Sequence, residues 1–122
     1  MAILYAPEGY KKLTETQRRS MLNGCGSGRF GSFIVPDRIL GLKIAPACNI
    51  HDYMYQVGES LEDKKEADRV FLNNMTRLVD EYGGFFKWVR LKLIRKYYQA
   101  VKYFGGPSFW KNKNEAKNMV VV

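Results

Sequence analysis

The strongest constraint on this chain is a pair of amphipathic stretches separated by a double glycine. In LEDKKEADRVFLNNMTRLVDEYGG, residues 61–84, apolar side chains fall at 67, 71, 75, 78, 79 and 82, which is the 3.6-residue spacing of one helical face. Ser60 stands before it as a candidate N-cap, and Gly83 with Gly84 closes it. FFKWVRLKLIRKYYQAVKYFGG, residues 85–106, repeats the period. Here Phe86, Val89, Leu93, Tyr97, Ala100 and Phe104 form a stripe, with Lys87, Arg90, Lys92, Arg95, Lys96 and Lys102 distributed around it. Neither helix buries its stripe alone, so the expected fold is all-α and built by helix packing. A chain of 122 residues has room for one core and not two, which predicts a single domain over 1–122 with its core in 12–106.

The flanking segments fill in the order of elements. KKLTETQRRSMLNGCG reads as a short helix: Thr14 with Gln17 three residues on matches a capping box, and Asn23-Gly24 is a stop signal. Glycines at 24, 26, 28 and 31, with Gly41 further on, make residues 23–33 a loop that presents backbone rather than side chains. Residues 33–45 mix β-branched residues with Pro36 and Gly41 and are expected to be irregular or briefly extended. Pro46 suits a first helical position and Gly58 a terminus, giving a helix over about 46–57. The end, PSFWKNKNEAKNMVVV, is polar with a small apolar tip, so the tail 107–122 is expected to be poorly ordered.

A net charge of +8 implies attraction to something anionic, whether nucleic acid, an acidic partner or an anionic membrane. No stretch approaches the ~20 apolar residues that span a bilayer, and the opening MAILYAPEGYKK lacks the pattern of a signal peptide. The expectation is a soluble chain, either mature or exported by another route. The two cysteines, Cys25 and Cys48, are compatible with a disulfide, a nucleophile or buried thiols, and with one histidine they cannot make a four-ligand zinc site.

That one histidine, His51, sits in ACNIHDYMYQ. At 100° per residue, Cys48, His51, Asp52 and Tyr55 share one broad side of the helix, and Ile50, Met54 and Val57 occupy the other, which is expected to face the core. His51 and Asp52 point about 100° apart, so Asp52 is not the group that orients His51. Asp68, on or beside the apolar face of the next helix, is the better candidate: a carboxylate there costs free energy unless paired. An adjoining helix offering His51 and the Tyr55 hydroxyl would satisfy it, in the acid-orients-base relation. Asp52 with carbonyls of the glycine-rich loop would make an oxygen-only environment suited to Ca²⁺. A Cys25–Cys48 bond, if formed, would fasten the loop to the helix and contribute roughly 3 kcal/mol.

CGSG, then ACNIHDYMY, then ADRVF, in that order, resembles the secreted phospholipase A2 superfamily, whose hallmarks are a Cys-Gly-x-Gly calcium loop, a Cys-x-x-His-Asp-x-x-Tyr helix and a later Asp-Arg on the facing helix. The likeness covers roughly residues 23–76, and YYQAVKYFGG is similar to the last helix of the bacterial and fungal branch. The resemblance implies His51 as general base, Asp68 as its orienting acid, Tyr55 as a support for Asp68 and the Gly26 N–H as an oxyanion donor. It further implies Asp52 as a bidentate calcium ligand beside carbonyls of Gly24, Gly26 and Gly28, and a Cys25–Cys48 disulfide. The implied activity is calcium-dependent hydrolysis of the sn-2 ester of glycerophospholipids by a secreted, extracellular or virion-associated enzyme. The single possible disulfide and the short His51–Asp68 interval favour the compact bacterial, fungal or viral branches. Arg29 stands where the animal pattern has another glycine.

Trp88, Phe109 and Trp110 beside many lysines are expected to suit an anionic phospholipid surface. Two other classes fit the residues less well. A cysteine hydrolase is disfavoured because Cys48 and His51 are stacked along one helix instead of converging on a substrate atom. A basic nucleic-acid-binding domain is disfavoured because no reading motif is recognisable. A non-catalytic relative that binds membranes or nucleic acid is the alternative.

Overall fold

A computed structural model of the protein describes residues 3–22, 35–110 and 113. The expectations placed on Gly24, Cys25, Gly26, Gly28 and Arg29, and on the tail beyond 113, lie outside the described residues.

Among the described residues the chain is predominantly helical, with six helices and one small two-stranded ribbon. Helix α1, Glu8–Lys11, is a single turn that the sequence pattern did not separate. Helix α2, Glu15–Met21, starts as expected at Thr14, whose side chain accepts from the Gln17 N–H while the Gln17 side chain accepts from the Thr14 N–H. The same reciprocal device starts helix α4, Leu61–Tyr82, between Ser60 and Asp63. These caps satisfy amide donors that no helical carbonyl can reach.

The all-α expectation needs one amendment. Within 33–45 the chain forms an antiparallel ribbon of β1, Arg38–Ile39, and β2, Leu42–Lys43, paired Arg38 to Lys43 and Ile39 to Leu42. Its turn places both Leu40 (φ 47) and Gly41 (φ 89) in the left-handed region. Glycine takes that shape without penalty, whereas Leu40 holds it at a cost. Arg90, from helix α5 (Lys87–Phe104), offsets that cost: its guanidinium donates to the carbonyls of Ile39 and Leu40, and to Gly83 just past α4. It also lies over the Tyr82 ring, 4.7 Å from the centroid.

Arg90 also explains where α5 departs from expectation. The buried residues of α5 are Arg90, Ile94 and Val101, a face rotated by roughly 80° from the predicted stripe. Leu93 and Tyr97 pack against the core from its margin, but Phe86, Val89 and Phe104 are exposed, Phe104 by 73%. The helix turns its guanidinium inward because the ribbon and the α4 terminus offer three carbonyls there, and the apolar stripe is displaced toward solvent.

Helix α3, Ala45–Val57, begins one residue earlier than expected, with Pro46 as its second residue, and ends at Gly58. Of the apolar side expected to face the core, Ile50 is buried and Met54 packs against the core. Cys48, His51, Asp52 and Tyr55 are buried together with Ile50, while Val57 is 49% exposed. The polar side goes inward because α4 supplies it with a matching polar group.

Helix α4 buries Ala67, Phe71, Met75 and Val79 on the predicted face, together with Asn74. The Asn74 side chain pairs reciprocally with the backbone of Tyr5, at 2.9 and 2.8 Å, and so anchors the N-terminal segment. Helices α3 and α4 pack against each other, as do α4 and α5. Finally, residues 107–110, expected to belong to a poorly ordered tail, fall in helix α6, Gly106–Trp110. Phe109 is wholly buried and meets the Tyr55 ring edge-on at 5.1 Å, so it belongs to the core and is not available to a membrane. Trp88 is 78% exposed.

Candidate active site

The three-residue connection 58–60 turns the chain back on itself, and the contacts show the direction. Tyr55 meets Lys64, and His51, one helical turn earlier in α3, meets Asp68 and then Phe71, further along α4. The two helices therefore run antiparallel at this point. The ring of His51 is 2% exposed, stacked on Phe71 with centroids 4.4 Å apart and tilted against Tyr55 at 4.2 Å. Two aromatic walls and a helix backbone leave the imidazole little freedom to turn.

Three donors converge on Asp68. Its Oδ1 lies 2.8 Å from His51 Nε2 and accepts from the Tyr55 hydroxyl at 2.7 Å, and its Oδ2 accepts from Lys64 Nζ at 2.9 Å. Asp68 is itself buried. Burial alone would raise its carboxyl. The hydrogen bonds from His51, Tyr55 and Lys64 outweigh it and hold the group below the ordinary carboxylate range. Burial, reinforced by the adjacent carboxylate, pushes the Tyr55 phenol far above its ordinary value, so the hydroxyl keeps its proton and donates it.

These ionisations determine the state of the imidazole. An ionised carboxylate has no proton to give, so the short Nε2 contact requires the hydrogen on Nε2. Burial, the largest influence, holds His51 below its ordinary value near 6.5 against the hydrogen bond and charge of Asp68, with the Lys64 charge aiding the depression. The ring is therefore neutral near pH 7. A neutral ring protonated at Nε2 carries its lone pair at Nδ1. This is the tautomer an acid–imidazole pair needs if the remaining nitrogen is to take a proton from water.

Of the expected site residues, the structure thus brings His51, Asp68 and Tyr55 into one hydrogen-bonded group. Asp52 is also buried, on the same helix side as Cys48. Cys48 is disulfide-bonded, and the chain has one other cysteine, Cys25. Among the described residues no three His, Cys, Asp or Glu side chains gather into a metal cage. A buried carboxylate is nonetheless a hard oxygen donor of the type Ca²⁺ takes, so Asp52 fits as one ligand of such a site. The described residues also include no helix long and apolar enough to cross a membrane.

Lys64 is the member of this group that pattern reading missed. It lies four residues before Asp68 on α4, a spacing that places the two side chains together, and that was the available signal. Binary patterning hid it, because lysine is ordinarily assigned to solvent.

The chain matches no protein-family model, no curated protein sequence and no solved structure.

Proposed function

We propose that this protein is a phospholipase A2-like ester hydrolase of the compact branch of the secreted phospholipase A2 superfamily, acting on the sn-2 ester of glycerophospholipids. The observation that carries the reading is the buried pair in which His51 Nε2 stands 2.8 Å from Asp68 Oδ1. A lone, neutral imidazole held in one tautomer by a buried carboxylate is the equipment of a general base.

In the proposed reaction His51 Nδ1 accepts a proton from a water molecule as the oxygen attacks the ester carbonyl. Asp68 keeps the proton on Nε2 and stabilises the imidazolium that forms. Tyr55 and Phe71 hold the ring plane, since a base misplaced by an ångström loses much of its advantage. His51 then returns the proton to the departing glyceryl oxygen, leaving a fatty acid and a lysophospholipid. The Gly26 N–H is the proposed oxyanion donor. Asp52 with the carbonyls of Gly24, Gly26 and Gly28 would hold Ca²⁺, and the Cys25–Cys48 disulfide would fasten that loop to α3. When bound there, the cation would supply positive charge for the substrate phosphate and the developing oxyanion. The proposed setting is an anionic phospholipid surface in a secreted, extracellular or virion-associated context. The net charge of +8 supports an anionic partner.

The same charge favours a second reading, a non-catalytic basic domain that binds membranes or nucleic acid, but it leaves the buried His51–Asp68–Tyr55 group without a purpose. The test separating them is release of fatty acid from phospholipid vesicles labelled at sn-2, with Ca²⁺ and with chelator. Calcium-dependent release of the sn-2 chain is the expected result. Vesicle binding with no release in either condition would favour the second reading.

A further inference from the structure

Lys64 occupies a position that local helix energetics disfavour. It is the fourth residue of α4, near the positive end of the helix dipole. It also precedes its acidic partner by four residues, the weaker of the two orientations for such a pair. Yet it is buried, and its ammonium makes three contacts: Asp68 Oδ2 at 2.9 Å, the Val101 carbonyl at 3.1 Å and the Lys102 carbonyl at 3.2 Å. The last two are carbonyls of the final turns of α5, at the negative end of that helix. The side chain is therefore placed by tertiary contacts, as a strut from α5 to the acid.

The strut has a consequence for Asp68. Both the His51 and the Tyr55 contacts fall on Oδ1, and an aspartate carboxylate turns readily about its Cβ–Cγ bond. Only the Lys64 contact among those three engages Oδ2, so it is the one that sets the carboxylate plane. Lys64 Nζ also brings an ammonium to within 2.9 Å of the buried carboxylate as its counter-charge. Burial of a carboxylate without one is strongly disfavoured.

We infer that Lys64 is a positioning residue for the proposed base: through Asp68 Oδ2 it fixes the carboxylate that fixes the tautomer of His51, and it ties that geometry to the end of α5. The inference rests on the proposed function for its kinetic consequence, but its structural consequence can be read without any substrate.

The experiment uses the full chain with Lys64→Met, Lys64→Arg and, as a control on the exposed neighbouring lysine, Lys65→Met. Because the chain has one histidine, ¹⁵N NMR reports the His51 tautomer without ambiguity. The native chain and Lys65→Met are expected to hold the Nε2–H form. Lys64→Met should show a substantial Nδ1–H population, with kcat for fatty-acid release reduced about tenfold or more and KM changed less than about twofold. Lys64→Arg, which restores a cationic donor, should recover the tautomer and most of kcat. Should Lys64→Met fail to fold, Lys64→Gln, which keeps a donor and loses the charge, makes the same comparison. A native tautomer together with native kcat in the uncharged variant would overturn the proposal. So would an equal loss in Lys65→Met, or failure of a folded Lys64→Arg to recover either readout. A native chain that releases no fatty acid would refute the hydrolase reading alone, and the tautomer comparison would still decide the role of Lys64.

Discussion

Asp68→Asn tests the electrostatics of the buried group with almost no change of shape. The amide can sit in two ways. Lys64 loses its carboxylate either way, but if the NH₂ faces Lys64 a buried ammonium also confronts a donor in place of an acceptor, which costs several kcal/mol more. If its oxygen faces Lys64, the NH₂ points toward His51 Nε2 and Tyr55. The imidazole must then accept at Nε2, carrying its hydrogen on Nδ1, and the Tyr55 hydroxyl must turn elsewhere. The second arrangement is the less costly, so the variant should fold with the tautomer reversed. Three hydrogen bonds to a charged acceptor (2.8, 2.7 and 2.9 Å) become neutral or are lost, at about 1 kcal/mol each and about 3 kcal/mol in all. For a domain of this size that is a drop in Tm of roughly 12 °C. With the lone pair moved to Nε2, the proposed hydrolysis should fall by about 10³- to 10⁴-fold, the scale seen when a catalytic acid–imidazole pair is locked in the wrong tautomer. Circular dichroism melting, ¹⁵N NMR of the single histidine and fatty-acid release measure the three quantities. A variant that keeps the Nε2–H tautomer, or one less than 1 kcal/mol less stable than the native chain, would refute the argument.

Other consequences are more local. Folded-state values below the ordinary ones for both His51 and Asp68 mean that the unfolded chain binds protons more readily. Stability should therefore be full above about pH 6.5 and fall as acid is added, first through His51 and then, below about pH 3.8, through Asp68. Thermal melts against pH should show that order, and His51→Gln should remove the upper step. A Cβ at Gly105, the C-cap of α5, would collide with the Val101 carbonyl and come within 2.6 Å of the Tyr55 hydroxyl. Gly105→Ala should thus cost about 1–3 kcal/mol and lower fatty-acid release by disturbing Tyr55, measured by melting and by activity on the folded fraction. Asp52→Asn removes the charged donor of the proposed calcium site, so the calcium titration of activity should weaken by at least about tenfold; an unchanged titration would count against Asp52 as a ligand.

The parts of this fold that were legible in the sequence are those governed by local chemistry. Thr14 with Gln17, Ser60, Gly58 and Gly83 each mark a helix boundary because capping is decided within a few residues. The convergence of His51, Tyr55 and Asp68 was legible for another reason: a carboxylate on an apolar face requires a partner, and the preceding helix offered an imidazole and a phenol. What patterning missed were places where polar groups are buried because they satisfy one another. Arg90 turns α5 inward toward three carbonyls, and Lys64 enters the core to meet Asp68 and the end of α5. The carbonyls that draw them in, of Ile39 and Leu40 for Arg90 and of Val101 and Lys102 for Lys64, are distant in sequence, and a rule that sends charge to solvent has no access to them. Phe109 was missed because a short helix following a glycine pair has too few residues to show a period.

The central claim is that His51 and Asp68 act as one unit in ester hydrolysis, and a double-mutant cycle measures it directly. Fatty-acid release from vesicles would be compared for the native chain, His51→Ala, Asp68→Asn and the two together. If the acid works only through the imidazole, the double variant will be no slower than His51→Ala alone. Losses that multiply across the two positions, or release that survives all three changes, would contradict the account.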